Sequence, residues 1–111
     1  MMEREDAVRS TYDAYNARDL PRALANLSAD VDWDDGEGNM LHGKDAVARH
    51  WADQWERADA KVEIEHLAWQ DGELRLSVRL DSRAPDGSRG RQRLKNTIAF
   101  AGDQILAMRI A

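Results

Sequence analysis

The sequence predicts an α+β domain in which a curved antiparallel sheet and three N-terminal helices enclose an apolar pocket. Two observations carry this expectation. Apolar residues recur at helical spacing in much of the first half of the chain, then alternate with a period of two almost without a break from Val62 onward. Nearly all the Trp, Tyr and Phe residues also fall inside those periodic segments. With 111 residues there is room for one hydrophobic core, so residues 1–111 are read as a single domain.

The elements follow in order. Val8, Tyr12 and Tyr15 share one face of a helix from Glu3 to Ala17, with Thr11 beside them. Glu3, Glu5 and Asp6 place negative charge at its N-terminal end, where the free N–H groups lie. Asp19 can cap a second, short helix with Pro21 in its first turn, and Leu20, Leu24 and Leu27 form its stripe. Val31, Trp33 and Asp35 then alternate with Asp32 and Asp34 as a short strand, followed by a loop from Gly36 to Gly43. A third helix runs from Lys44 to about Glu56. Val47, Trp51 and Trp55 form its buried row, flanked by His50 and Gln54.

The remainder reads as strand. Val62 and Ile64 lead to an Asp71–Gly72 turn. Leu74, Leu76, Val78 and Leu80 alternate with Arg75, Ser77, Arg79 and Asp81. Pro85–Asp86–Gly87 marks a loop, Leu94, Asn96, Ile98 and Phe100 line one face of the next strand, and Gln104 to Ala111 closes the sheet. The opposite face of these strands carries Glu63, Glu65, Arg79, Arg91, Arg93 and Lys95. It reads as a solvated surface, a polar homodimer interface or, least of all, a polyanion site.

Composition excludes several classes. There is no cysteine, hence no disulfide framework and no thiolate chemistry. No apolar run approaches a membrane span, and the charged first twenty residues lack a signal-peptide core, so a cytoplasmic protein without membrane partners is expected. A net charge of -5 argues against a nucleic-acid partner. No two histidines have zinc-helix spacing and the acids from Asp32 to Glu37 lack a calcium-loop pattern, so neither a metal nor another cofactor is expected.

Several polar residues are placed where chemistry can occur. Alternation turns Asp35 toward the pocket, where desolvation would raise its pKa and suit it to general-base work. The segment Asp34-Asp35-Gly36-Glu37-Gly38 reads equally well as an exposed turn whose backbone N–H groups hold that carboxylate. Asn96 stands on an apolar strand face, either lining a ligand cavity or making a structural bond. His50 adjoins the Trp51 stripe and either enters the cavity or lies at the helix flank. Tyr12, Tyr15, Trp33, Trp51 and Trp55 are candidate walls for a flat apolar ligand, or core. Arg109 would bind an acidic ligand group if its face of the last strand turned inward.

The segments Tyr12 to Leu20 (YDAYNARDL), Leu27 to Trp33 (LSADVDW), Leu41 to Val47 (LHGKDAV) with Trp51, and Phe100 to Arg109 (FAGDQILAMR) resemble the nuclear-transport-factor-2-like superfamily, and within it the SnoaL-like polyketide cyclases. The resemblance covers nearly the whole chain. It implies a cone-shaped shell around a pocket and, commonly, a homodimer through the outer sheet face. A more distant similarity to ketosteroid isomerases aligns their base with Asp35, their helix tyrosine with Thr11 and their late-strand acid with Asn96. The two strong oxyanion donors are thus replaced. Two functions are expected: a non-catalytic module binding a small apolar ligand or, as the alternative, an acid–base isomerase, cyclase or dehydratase acting on an apolar carbonyl compound through Asp35, His50 and Asn96.

Overall fold

The computed structural model describes residues 3–110. Helix α1 spans Arg4–Asn16 and α2 spans Leu20–Ala25, with Asp19 accepting a hydrogen bond from the Arg22 N–H at 3.3 Å as its cap. Strands β1 (Leu27–Asp34) and β2 (Met40–His42) come before α3 (Lys44–Arg57). Strands β3 (Asp59–Gln70), β4 (Glu73–Arg83), β5 (Arg89–Ala101) and β6 (Gln104–Ile110) complete the chain. Leu27 does not extend the stripe of α2. That helix stops at Ala25, and Leu27 opens β1 fully buried.

The six strands form one sheet in the order β2-β1-β6-β5-β4-β3. It is mixed, which corrects the expected antiparallel sheet. The meander from β3 to β6 is antiparallel throughout, but it begins at the far edge of the sheet and ends with β6 beside β1, running the same way. A parallel pair needs a long connection, and the chain between β1 and β6 supplies it. Alternation in sequence is the same for either pairing, so it cannot distinguish them.

Turn chemistry fixes the register of the long hairpin. Asp71 and Gly72 both have positive φ (53° and 79°), as a tight two-residue turn matched to strand twist requires. In the next pairing, Leu74 lies opposite Ile98 and Leu76 opposite Asn96, so Leu74, Leu76 and Val78 face the same side as Ile98 and Asn96 on β5. Register shifts between Ile64 and His66, and between Ala99 and Phe100, bend the strands locally. The helices cover the inner face, with Val8, Tyr12, Val47 and Trp51 in the core.

One side chain ties the helix layer to the sheet edge. Asn16, at the end of α1, accepts a hydrogen bond from the Val62 N–H and donates one to the Val62 carbonyl, both at 2.7 Å. It thereby occupies backbone groups that an edge strand would otherwise leave open. Replacing Asn16 with Ala is expected to cost about 1–3 kcal/mol in urea unfolding, because two half-buried backbone groups lose their partners. Amide exchange at Val62 should quicken in parallel. Wild-type stability in the Asn16→Ala protein would remove this anchor from the account.

Candidate functional site

Between the helices and the sheet lies a cavity of about 430 Å³. Its walls come from four directions. Tyr12 and Tyr15 project from α1, Trp51 from α3, Trp33 from β1, and Val78, Leu94 and Met108 from the meander. The Trp33 and Trp51 rings meet edge to face at 5.2 Å, and Tyr15 meets Trp51 in the same manner at 5.9 Å. Such contacts hold aromatic walls in fixed orientations.

The inner end is polar. Asn96 is only 6% exposed, and its Nδ2 donates to the Tyr12 hydroxyl at 2.8 Å. Its Oδ1 is buried and has no hydrogen-bond partner among the described residues. Burial pushes the Tyr12 pKa up to about 12, against a smaller lowering by Asn96. Thr11, beside them on the lining, donates its hydroxyl hydrogen to the Ala7 carbonyl at 2.9 Å. Toward α3, the Tyr15 hydroxyl donates to Gln54 Oε1 at 3.1 Å, and burial raises the Tyr15 pKa.

The mouth is formed by the turn after β1. Asp35 lies one residue beyond the end of that strand, so strand alternation does not set its direction. Its Oδ1 accepts from the N–H groups of Glu37 (2.7 Å) and Asn39 (3.1 Å), and its Oδ2 accepts from the Asn39 side chain at 3.1 Å. The turn alternative therefore describes its bonding, although Asp35 also lines the cavity. The expected rise in its pKa is corrected. The Glu37 N–H bond is the main cause of a pKa below the ordinary aspartate value, helped by Asn39 and by the charge of His50 and opposed by desolvation.

Asp35, His50, Asn96, Tyr12, Tyr15, Trp33 and Trp51 thus share one cavity. Two expected ligand contacts do not join them. Trp55 packs behind Tyr15, with ring centroids 5.5 Å apart, and is absent from the lining. Arg109 points away, exposed, toward Glu73 at 3.6 Å, while its neighbours Met108 and Ile110 face the cavity. The lining also includes four polar residues to which the sequence reading gave no role: Gln54, Asp34, Glu37 and Gln92. Gln54 was signalled by its position one turn after His50. Gln92 was signalled by the alternation that puts it on the face of Leu94 and Asn96, whereas Asp34 and Glu37 carried no periodic signal that could have placed them on the lining.

Among the described residues no group of three His, Cys, Asp or Glu side chains is arranged to hold a metal ion, and no helix is long and apolar enough to cross a membrane.

Comparison with known proteins gives the fold and its relatives. The family model described as a SnoaL-like domain matches residues 8–108. An NTF2-like protein of unknown function from Burkholderia pseudomallei superposes with a TM-score of 0.86 at 21% identity, covering 100% of this chain and 91% of its own. A Mycobacterium tuberculosis protein in complex with estradiol-17beta-hemisuccinate gives 0.83 at 22% identity, covering 94% and 88%. A candidate polyketide cyclase from Sinorhizobium meliloti gives 0.82 at 21%, covering 96% and 94%. Identities this low establish a shared fold and leave function open. A comparison with proteins of curated function finds no match.

The bonding of Asp35 sets a pH dependence. Its folded-state pKa is depressed, so its stabilising contribution is present above the unfolded value and is lost as pH falls through the folded one. Asp35→Ala should therefore be less stable than wild type at pH 7. The gap between the two denaturation midpoints should close as pH drops below about 4, near the usual aspartate pKa. A gap that stays constant down to pH 2 would mean that the carboxylate does not hold the turn.

Proposed function

Because the chain belongs to the SnoaL-like domain family, we propose that it is a binding module that holds a small, flat, largely apolar molecule between its helices and sheet. The observation that carries this reading is the pairing of an aromatic-walled cavity with an Asp35 carboxylate and a Tyr12 phenol that are both poorly tuned for proton transfer near neutrality. A volume of about 430 Å³ falls within the range of small-molecule sites. The pKa of Asp35 is shifted down and that of Tyr12 up, each away from neutrality. The estradiol-17beta-hemisuccinate held by the structurally similar Mycobacterium tuberculosis protein supports a ligand with a flat, apolar body. In this reading the helices and the bulged sheet form a cone-shaped shell, with the turn from Asp34 to Glu37 at its mouth.

A second reading, acid–base chemistry on an apolar carbonyl compound, is favoured by the presence of Asp35, His50 and Asn96 on one cavity. In that case Asp35 would take a proton from carbon, and Tyr12 and Asn96 would donate hydrogen bonds to the developing oxyanion. The loss of stronger donors makes this the weaker of the two. We also propose that two copies pair through the outer sheet face. There Arg79 bridges Glu63, Glu65 and Asp81, and Arg91 and Arg93 extend the network.

Calorimetric titration with estradiol, 2-naphthol and anthraquinone tests the binding role. At least one of the three should bind, and Leu94→Trp, which fills the cavity from its wall, should weaken that binding by about tenfold or more at unchanged melting temperature, equivalent to about 1.4 kcal/mol. No binding by any of the three would overturn the proposal. Turnover of enolisable ketones by wild type, lost in Asp35→Asn, would instead establish the second reading. Sedimentation equilibrium at neutral pH should return the mass of two chains, and a monomer at 100 μM, on the order of a weak dimer's range, would exclude the pairing.

A further inference from the structure

The charge on the cavity lining is one-sided. Asp34, Asp35 and Glu37 stand together at the mouth, and among the described residues the lining holds no Lys or Arg. Elsewhere on the sheet, acidic side chains are matched by bases. Glu63, Glu65 and Asp81 pair with Arg79, Arg91 and Arg93. Among the described residues, the three acids at the mouth make no ion pair with a basic side chain. The oxygens of Asp34 are met by the N–H groups of Gly36 and Ile110, and those of Asp35 by Glu37 and Asn39, so neither carboxylate is paired with a Lys or Arg among the described residues. Among those residues His50 is the one nitrogen base on the lining.

A row of acids alone would be a solvated turn. The inner end of the cavity provides an independent sign of a ligand. Asn96 is more than nine-tenths buried, lines the cavity, and keeps Oδ1 without a partner among the described residues. A buried acceptor left open is costly unless something donates to it. An O–H or N–H on the ligand would answer that need. The aromatic walls between these two ends, Trp33, Trp51 and Tyr15, include ring faces, which attract a cation.

We propose, on the footing of the binding role above, that the cavity selects a flat amine: a cationic end at the acidic mouth, an apolar body against Trp33 and Trp51, and an O–H or N–H donor reaching Asn96 Oδ1. A carboxylate of the same shape would enter past three carboxylates that no Lys or Arg offsets while losing its own hydration, and it would find no base but His50. Arg109, the residue that could have received an acidic group, faces the other way.

The test is a matched set of naphthalenes titrated by calorimetry at pH 7: 2-(6-hydroxynaphthalen-2-yl)ethylamine, its 6-methoxy analogue, 6-hydroxynaphthalene-2-acetate, and neutral 2-naphthol. The hydroxy amine should bind at least tenfold more tightly than the carboxylate. Glu37→Gln, which alters an exposed side chain, should shrink that ratio by a factor of about three, and Glu37→Lys should shrink it further. Asn96→Leu should erase the preference for hydroxy over methoxy amine while leaving the amine-to-carboxylate ratio in place. Carboxylate binding equal to or tighter than the amine's, or a ratio indifferent to both Glu37 variants, would overturn the proposal. Binding of 2-naphthol without amine preference would sink the charge selection and spare the binding role. Silence from all four compounds would remove the amine selection, and the binding role with it if estradiol and anthraquinone also fail to bind.

Discussion

The structure turns on a mismatch of lengths. Strand β5 and helix α1 each contain 13 residues. At about 3.3 Å per residue the strand runs roughly 43 Å, whereas at 1.5 Å per residue the helix reaches about 20 Å. A helix layer of that length cannot cover the apolar face of such a sheet. Burial falls off accordingly: Leu74, Leu76, Val78 and Ile98 are closed in, while Leu80 and Leu94 are half-buried and Gln92 is exposed. The cavity is the uncovered remainder, walled by aromatic side chains wide enough to bridge from helix to strand. The Asn16 clamp on Val62 holds α1 at the sheet edge, so the gap is not closed by sliding.

That geometry also separates the polar groups by role. The inner end pairs two neutral groups, the Tyr12 phenol and the Asn96 amide, where burial keeps the phenol protonated. The mouth carries carboxylates held by backbone N–H groups, which keep Asp35 ionised. A site built this way offers hydrogen bonding at depth and negative charge at the rim. Asp35 and Tyr12 both have pKa values moved away from neutrality, and this is the physical reason for preferring binding over proton transfer by these two groups.

Much of the architecture could be read from the residues. The two-residue alternation of Leu74 to Leu80 carried the facing of β4, and with it the inward position of Asn96 between Leu94 and Ile98. Helical spacing placed Tyr12, Tyr15 and Trp51 on the covered side, and the segments from Tyr12 to Arg109 carried the family. What was illegible depends on register and on where strands stop. Side chains alternate with a period of two, so a one-residue uncertainty reverses a strand's faces. The shift between Ala99 and Phe100 is of that kind, and Arg109 lies on the strand it displaces. Asp35 follows the last residue of β1, where turn bonds replace alternation. Trp55 shares the stripe of Trp51 but sits a turn further on, behind Tyr15.

The central claim, that the space under Trp33 and Trp51 is a ligand site rather than loosely packed core, can be put to the four indole N–H signals in a two-dimensional NMR titration with 2-naphthol. Trp69 serves as the internal control, because it is 43% exposed, packs on Phe100 and lies off the cavity. The account expects saturable shifts at Trp33 and Trp51 with Trp69 unmoved. Shifts confined to Trp69, or none at any indole, would contradict it.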